Sequence, residues 1–238
     1  MKAMIFAAGK GTRLGDITAA RPKALLEIKG KSALRIAVEK LTLNGFDDII
    51  INVHHHANQM IKAIDNLKQE GFRLTVSDES EQLLETGGGL YKARWFFDDR
   101  PFLLYNVDII TDIDLNEIYS YHIEKGGIAT LAVRAYPDTR VFLTDKEGII
   151  RGWRNKSTGE EILTGNYGSL DEKAFSGIHV VEPEVFSYMK EGFYSMTSFY
   201  LNIAKNKNIF AYDYNPEYFF DIGSPQELEN AINYIQII

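Results

Sequence analysis

Residues 2–28 read KAMIFAAGKGTRLGDITAARPKALLEI, and this stretch decides the fold. It opens on an apolar run, residues 3–8, long enough for one buried strand of a parallel sheet. The run ends in Gly9-Lys10-Gly11-Thr12-Arg13, a glycine-rich turn. Its backbone N–H groups can close on phosphate oxygens because no Cβ stands in the way. Lys10 and Arg13 bring positive charge to the same place, and Lys23 follows behind Pro22, whose ring stiffens its approach. A strand, a phosphate cradle and cations in so short a span describe a site for a polyphosphate.

Two familiar phosphate turns do not fit. A dinucleotide fingerprint, G-x-G-x-x-G, would need glycine where Leu14 stands, and Gly15 comes one place late. That fold also ends its second strand on an acidic residue, whereas Asp48–Val53 runs into His54-His55-His56. A Walker loop, G-x-x-x-x-G-K-[ST], does not occur. What remains is A-A-G-x-G-T-R-L followed by P-K, which resembles the N-terminal signature of the sugar-1-phosphate nucleotidylyltransferases.

Composition sets the frame. A chain of 238 residues, 45% hydrophobic and 25% charged, can bury one substantial core, so a single domain over residues 1–238 is expected. A net charge of −7 argues against nucleic-acid binding and makes the early cations a local site. With no cysteine there is no disulfide, thiolate chemistry or cysteine metal site. No apolar run approaches the roughly 18 residues of a membrane span, and the start lacks a signal-peptide core. A cytoplasmic protein without a membrane partner is therefore expected.

Strand-like and helix-like patterns alternate through the first part. Leu34, Ala37, Val38 and Leu41 fall at helical spacing, and Gly45 stops that helix. Asp48–Val53 reads as a strand, and Met60, Ile61, Ile64 and Leu67 mark a helix that Gly71 ends. Residues 73–77, 101–105 and 128–134 read as strands, with a helix over Leu115–Lys125. This rhythm predicts an α/β fold: a Rossmann-like, mainly parallel sheet with helices on both faces and ligands beyond the strands' carboxyl ends. After residue 135 a hairpin across Asp145-Lys146-Glu147-Gly148, a strand at residues 174–181, helices from Pro183 and Met196, a strand at Ile209–Asp213 and a last helix at residues 225–235 follow. Residues 1–134 are expected to bind the nucleotide. Residues 135–238 are expected to form a smaller β-rich insertion for the sugar, with a metal-binding segment near the C-terminus.

Three further segments carry chemistry. Glu85-Thr86-Gly87-Gly88-Gly89 precedes an expected helix at residues 90–97, and such glycines let backbone approach a planar ring. The form E-T-G-G-G is similar to N-acetylmuramate-1-phosphate uridylyltransferases, where a segment in this position lines the base pocket. The apolar strand before Asn106-Val107-Asp108 delivers a carboxylate to the crevice, and the resemblance gives Asp108 the role of metal ligand. Val107 stands where the family usually has glycine. The aromatic run Tyr218-Phe219-Phe220 ends at Asp221, followed by Ser224 as helix cap and Pro225 in the first turn. Aromatic-D-x-G-[ST] resembles the family's second metal-carboxylate segment. Asp112 and Asp114 are better explained as a solvated turn or a helix cap. The three histidines read as loop caps or pocket walls, since adjacent residues at a strand end point in different directions.

The resemblance thus implies Mg²⁺ on Asp108 and Asp221, with Arg13 and Lys23 as catalytic cations. It implies nucleotide contacts from Ala7, Ala8, Gly9, Gly11, Thr12, Gln82, Thr86, Gly87, Gly88 and Asn106, and sugar contacts from Glu85, Ser176, Gly177, Asn155 and Lys156. The E-K-P segment of many relatives is absent, Asn155 standing where its Glu would fall. The reaction implied is nucleotidyl transfer from an NTP to a sugar 1-phosphate by a monomer or homodimer, for cell-wall or surface polysaccharide precursors. UTP with an amino-sugar-type hexose 1-phosphate is the expected pair. A guanylyltransferase for mannose or heptose 1-phosphate, a phosphocholine cytidylyltransferase and an inactive sugar-nucleotide-binding regulator are the alternatives.

Overall fold

A computed structural model describes residues 1–234. The first part contains β1 (Lys2–Phe6), β2 (Glu27–Ile28), β3 (Lys31–Ser32), α1 (Ala33–Leu43), β4 (Asp48–Val53), α2 (Ala57–Gln69) and β5 (Arg73–Asp78). There follow α3 (Glu85–Lys92), β6 (Phe102–Asn106), β7 (Ile109–Thr111), α4 (Leu115–Lys125) and β8 (Ala129–Arg134). The second part holds β9 (Arg140–Thr144), β10 (Ile150–Asn155), β11 (Glu160–Leu163), β12 (Asp171–Val181), α5 (Met196–Ile203), β13 (Ile209–Asp213), β14 (Phe219–Asp221) and α6 (Pro225–Tyr234).

Ten strands form one sheet, with the parallel run β6-β1-β4-β5 on one side. The side-chain period of two divides β1 between two cores. Ala3 and Ile5 point to the layer of α1, α2 and α4, and Met4 and Phe6 to the layer of α3 and α5. β6 alternates the same way, Leu103 and Tyr105 against Phe102 and Leu104. Helices therefore cover both faces, as the alternating rhythm predicts.

The second part joins the first by hydrogen bonds. The long β12 runs antiparallel to β6, β8 and β9, so the β-rich part continues the same sheet. β11 pairs antiparallel with β10 and adds an edge strand to the sheet. The expected hairpin is β9–β10, the expected helix at Pro183 is a short 3-10 turn ending at Ser187, and residue 235 lies outside the described residues.

Local chemistry explains the ends. Ser32 caps α1 by accepting the Arg35 N–H, and Asp114 caps α4 by accepting those of Asn116 and Glu117. Gly126, at φ +64°, closes α4 in the left-handed region. One boundary is corrected: Glu85 to Gly89 do not precede a helix at residues 90–97 but form the first turns of α3.

Candidate active site

The carboxyl ends of β1, β4, β6 and β8 share one edge of the sheet, and the site is built there. After β1 the chain turns through Gly11 at φ +65°, a conformation that favours glycine. Thr18 Oγ1 donates to the carbonyls of Gly11 at 3.0 Å and Gly15 at 3.2 Å, fixing the loop from behind. Its front stays open, for a Cβ at Gly9 would meet nothing within 4 Å. Pro22 then starts a single 3-10 turn, Lys23–Leu25, which holds Lys23 at 9% exposure under that loop.

A two-stranded ladder supplies the second carboxylate. β14 runs antiparallel to β7, with Asp221 opposite Ile109, and the Ile222 N–H donates to the Asp108 carbonyl at 3.0 Å. This register carries Asp221 across more than a hundred residues of sequence to Asp108. Both carboxylates reach one ammonium: Lys23 Nζ donates to Asp108 Oδ2 and lies 3.7 Å from Asp221 Oδ1. Arg13 Nη2 stands 3.4 Å from Asp221 Oδ2. Gly223 makes room for it, since a Cβ there would fall 2.3 Å from that nitrogen.

Three hollows meet at this cluster. One of about 390 Å³ lies between the Gly9–Gly11 turn, Asn52, Thr86 and Asn106. A second of about 220 Å³ is walled by Arg13, Lys23, Asp108 and Gly223. The third, about 1170 Å³, spreads from Arg13 and Asp221 over Trp153, Asn155 and Phe175.

Comparison with known proteins agrees with this geometry. The family described as nucleotidyl transferase matches residues 2–236. The chain belongs to the nucleotidyl transferase family. A UTP–glucose-1-phosphate uridylyltransferase of Synechocystis is 33% identical over 81% of this chain, which spans about half, 52%, of that relative's length. An N-acetylmuramate α-1-phosphate uridylyltransferase of Caulobacter vibrioides is 27% identical, over 87% of this chain and 86% of its own. A mannose-1-phosphate guanyltransferase of Yarrowia lipolytica is also 27% identical, over 95% of this chain and 62% of its own. Among solved structures, HddC from Yersinia pseudotuberculosis complexed with GMP-PN superposes with a TM-score of 0.80 at 18% identity, covering 98% of this chain and 99% of its own. UDP-glucose pyrophosphorylase complexed with UDP-glucose gives 0.77 at 19%, covering 100% and 99%. These share the fold.

Within this nucleotidyl transferase fold the expected site residues divide into groups. Ala8, Gly9, Gly11, Thr12, Thr86 and Asn106 line the 390 Å³ hollow, while Ala7 lines the 220 Å³ one. Glu85, expected to contact the sugar, lines the 390 Å³ hollow as well, at the start of α3. Gln82 is exposed in the loop before α3 and lines none of the three hollows.

Gly87 and Gly88 face away from the cavity. Cβ atoms there would lie 2.5 Å from the Tyr194 ring and 2.0 Å from the Gly192 carbonyl oxygen, so these glycines admit a neighbouring loop. Asn155 lines the large cleft, and its Oδ1 accepts the Ser157 N–H at 3.0 Å. Lys156 points away to Glu172, at 3.0 Å, in a surface network with Arg154. Ser176 is fully buried. Gly177, at φ +70°, lies where β12 shifts register, and a Cβ there would stand 2.8 Å from Asn106 Nδ2.

Two residues escaped the sequence reading. Asn52 Oδ1 accepts the Ala7 N–H at 2.8 Å, and its Nδ2 donates to Glu79 Oε1 at 2.9 Å. Glu79 is wholly buried, and burial lifts its carboxyl above the usual carboxylate range. A signal existed: Asn52 is the one amide inside the otherwise apolar run IIINV. Asp114 is a helix cap, as expected, and Asp112 accepts the Glu217 N–H at 2.8 Å. His56 precedes α2 at φ +53°. Among the described residues no three His, Asp or Glu gather as a metal cluster, and no helix is long and apolar enough to cross a membrane.

Proposed function

We propose that the chain transfers a nucleotidyl group from an NTP to a sugar 1-phosphate, releasing pyrophosphate. The observation that carries this is the meeting of two cations, Arg13 and Lys23, with two carboxylates, Asp108 and Asp221, between the glycine turn and the large cleft. An acceptor phosphate is already an anion, so attack on the α-phosphorus needs no protein nucleophile. Catalysis then rests on alignment and on neutralising charge. The open amides of the Gly9 turn suit the triphosphate, with Arg13 and Lys23 opposing the charge that develops on the leaving pyrophosphate.

Two carboxylates within reach of one ammonium form an all-oxygen donor pair of the kind Mg²⁺ prefers, so Asp108 and Asp221 would hold that ion. Bound there, it would supply further charge neutralisation at the phosphates. The 390 Å³ hollow beside Thr86 takes the base and the 1170 Å³ cleft takes the sugar. UTP with an amino-sugar-type hexose 1-phosphate is the preferred pair, supported by the E-T-G-G-G form and by two relatives named as uridylyltransferases.

A pyrophosphate-release screen of four NTPs against sugar 1-phosphates and phosphocholine, with Mg²⁺ and with EDTA, tests the reading. UTP with an N-acetylated hexose 1-phosphate should be fastest, and EDTA should abolish turnover. Faster reaction of GTP with mannose 1-phosphate would keep the reaction and overturn the substrates. Release from no pair would overturn the reaction.

A further inference from the structure

Beside the 390 Å³ hollow lies a polar pair that the fold encloses almost wholly. Asn52 is 2% exposed and Glu79 has no exposed surface. In the parallel ladder Phe6 stands opposite Asn52, and there β1 parts from β4 to enter the glycine turn. The next N–H, that of Ala7, donates to Asn52 Oδ1 at 2.8 Å. Asn52 Nδ2 donates in turn to Glu79 Oε1 at 2.9 Å, and the Leu84 N–H faces the same carboxyl. Leu84 is the residue from which α3 starts. One acid thus stands between the glycine turn and the start of α3, both of which line the hollow.

The pair is directional. An amide can turn either its oxygen or its nitrogen to Ala7, and only the oxygen accepts that N–H. A carboxyl at the amide's other end accepts only from the nitrogen, so Glu79 fixes which way Asn52 is turned. Gly89 belongs to the same arrangement, for a Cβ there would fall 2.6 Å from Glu79 Oε1 and 2.9 Å from Asn52 Nδ2. An enclosed acid is costly, and apolar residues of like volume would join strand and helix at less cost. What the acid adds is orientation.

We infer that Asn52 and Glu79 are positioning residues for the nucleotide: they fix where the glycine turn leaves the sheet and where α3 starts, so that the turn's amides stand ready before the triphosphate arrives. This rests on the nucleotidyl-transfer reading above and names two residues that serve its NTP site. Glu79 lines none of the three hollows and acts through Asn52 and Leu84. Such preorganisation is read as affinity, because a turn already ordered loses less freedom on binding.

The test takes Asn52→Leu, Glu79→Leu, Glu79→Gln and the double variant Asn52→Leu/Glu79→Leu. UTP and GTP are each titrated by calorimetry with Mg²⁺, and initial rates are taken against both substrates. Asn52→Leu should weaken binding of the accepted nucleotide roughly five- to tenfold, the range of one buried hydrogen bond. The loss should fall on KM for the NTP, with kcat and KM for the sugar phosphate changed less than about twofold. Glu79→Leu should act in the same direction, and Glu79→Gln, which keeps one acceptor oxygen, should lie between it and the wild type. The double variant separates positioning from packing. It leaves no acid without its donor, so its unfolding midpoint in urea should exceed that of Asn52→Leu while NTP affinity stays low.

Affinity that returns with stability, unchanged NTP binding in Asn52→Leu, or an equal rise in KM for the sugar phosphate overturns the inference. If Asn52→Leu does not fold, the two Glu79 variants decide, and equal NTP affinity in both overturns it. Binding of no nucleotide by the wild type would be a failure of the reaction reading instead. Hydrogen exchange of the Ala7 amide, followed by NMR in the free protein, then tests the positioning by itself. Exchange should quicken by on the order of tenfold in Glu79→Leu, and an unchanged rate would overturn the role of Glu79.

Discussion

Two glycine-rich stretches in this chain have similar composition and opposite physics. At Gly9 an added Cβ would meet only open space, whereas at Gly87, Gly88 and Gly89 it would lie 2.0–2.6 Å from Tyr194, Gly192 or Glu79. The first stretch leaves backbone open, as the proposed phosphate site requires; the second is bare so that the protein can approach itself. Glycine content alone cannot tell them apart, because both a phosphate cradle and a tight helix contact need the missing side chain. Changes around the open turn should therefore alter turnover, and changes in α3 should alter stability.

The largest effect should come from the carboxylates facing the open turn. Asp108→Asn and Asp221→Asn should each lower kcat/KM by on the order of 10²-fold or more, measured as pyrophosphate release with Mg²⁺. Each keeps the shape of its side chain; the unfolding midpoint should move little in Asp221→Asn and fall in Asp108→Asn, which takes the closest counter-charge from the buried Lys23 ammonium. Near wild-type turnover in both variants would refute the assignment of these two residues and leave the open turn without its chemistry.

Gly88→Val should break the closed stretch. Its Cβ would press on the Gly192 carbonyl, a backbone atom that cannot swing aside. Overpacking of this kind costs about 1–3 kcal/mol, and urea denaturation should show at least that loss. A raised KM for NTP at unchanged stability would mean instead that Gly88 walls the base pocket, as the sequence alone suggests.

These cases show what the sequence could and could not convey. β4, α4 and β13 were legible to the residue, because periodicity and caps are local. So was the glycine turn, whose charge and spacing lie within a few residues of one another. The start of α3 was not, since three glycines argue against a helix until Tyr194 and Gly192 are seen packing on them. The meeting of Asp108 with Asp221 depends on the register of β14 with β7, which only the family resemblance suggested. The parts played by Asn52 and Glu79 depend on partners far along the chain, which composition does not carry.

A buried group remote from both stretches gives a smaller effect. Burial holds His179 at about 3 and His122 at about 4. An unfolded histidine titrates near about 6.5, so below that pH the unfolded chain takes up protons that the folded chain refuses. Stability conferred by the neutral rings is complete above pH 6.5 and is lost as pH falls toward 4, at roughly 1.4 kcal/mol per unit per histidine. Glu79, with its raised carboxyl, works in the opposite sense, so the variant rather than the raw slope is diagnostic. His122→Gln should flatten the decline between pH 6 and 5 in denaturation series and leave kcat at pH 7 unchanged. An unaltered slope would show that His122 takes up its proton in the fold.

The smallest effect is the sharpest probe of the contrast. Gly9 is exposed and its φ lies outside the left-handed region, so Gly9→Ala should leave stability within about 0.5 kcal/mol. The new methyl would nonetheless stand on the open face, where phosphate oxygens must come up to the amides. NTP affinity should fall roughly three- to tenfold, about the worth of one weakened hydrogen bond. Gly11→Ala is the companion, for its φ of +65° and a Thr18 methyl at 3.0 Å make a Cβ costly to the fold as well as to the ligand. Calorimetry and thermal unfolding on the two variants should thus separate: Gly9→Ala weakens binding alone, and Gly11→Ala weakens both. If Gly9→Ala lost stability with NTP affinity unchanged, the first stretch would be a packing device like the second, and the phosphate site would have to be sought elsewhere along the sheet edge.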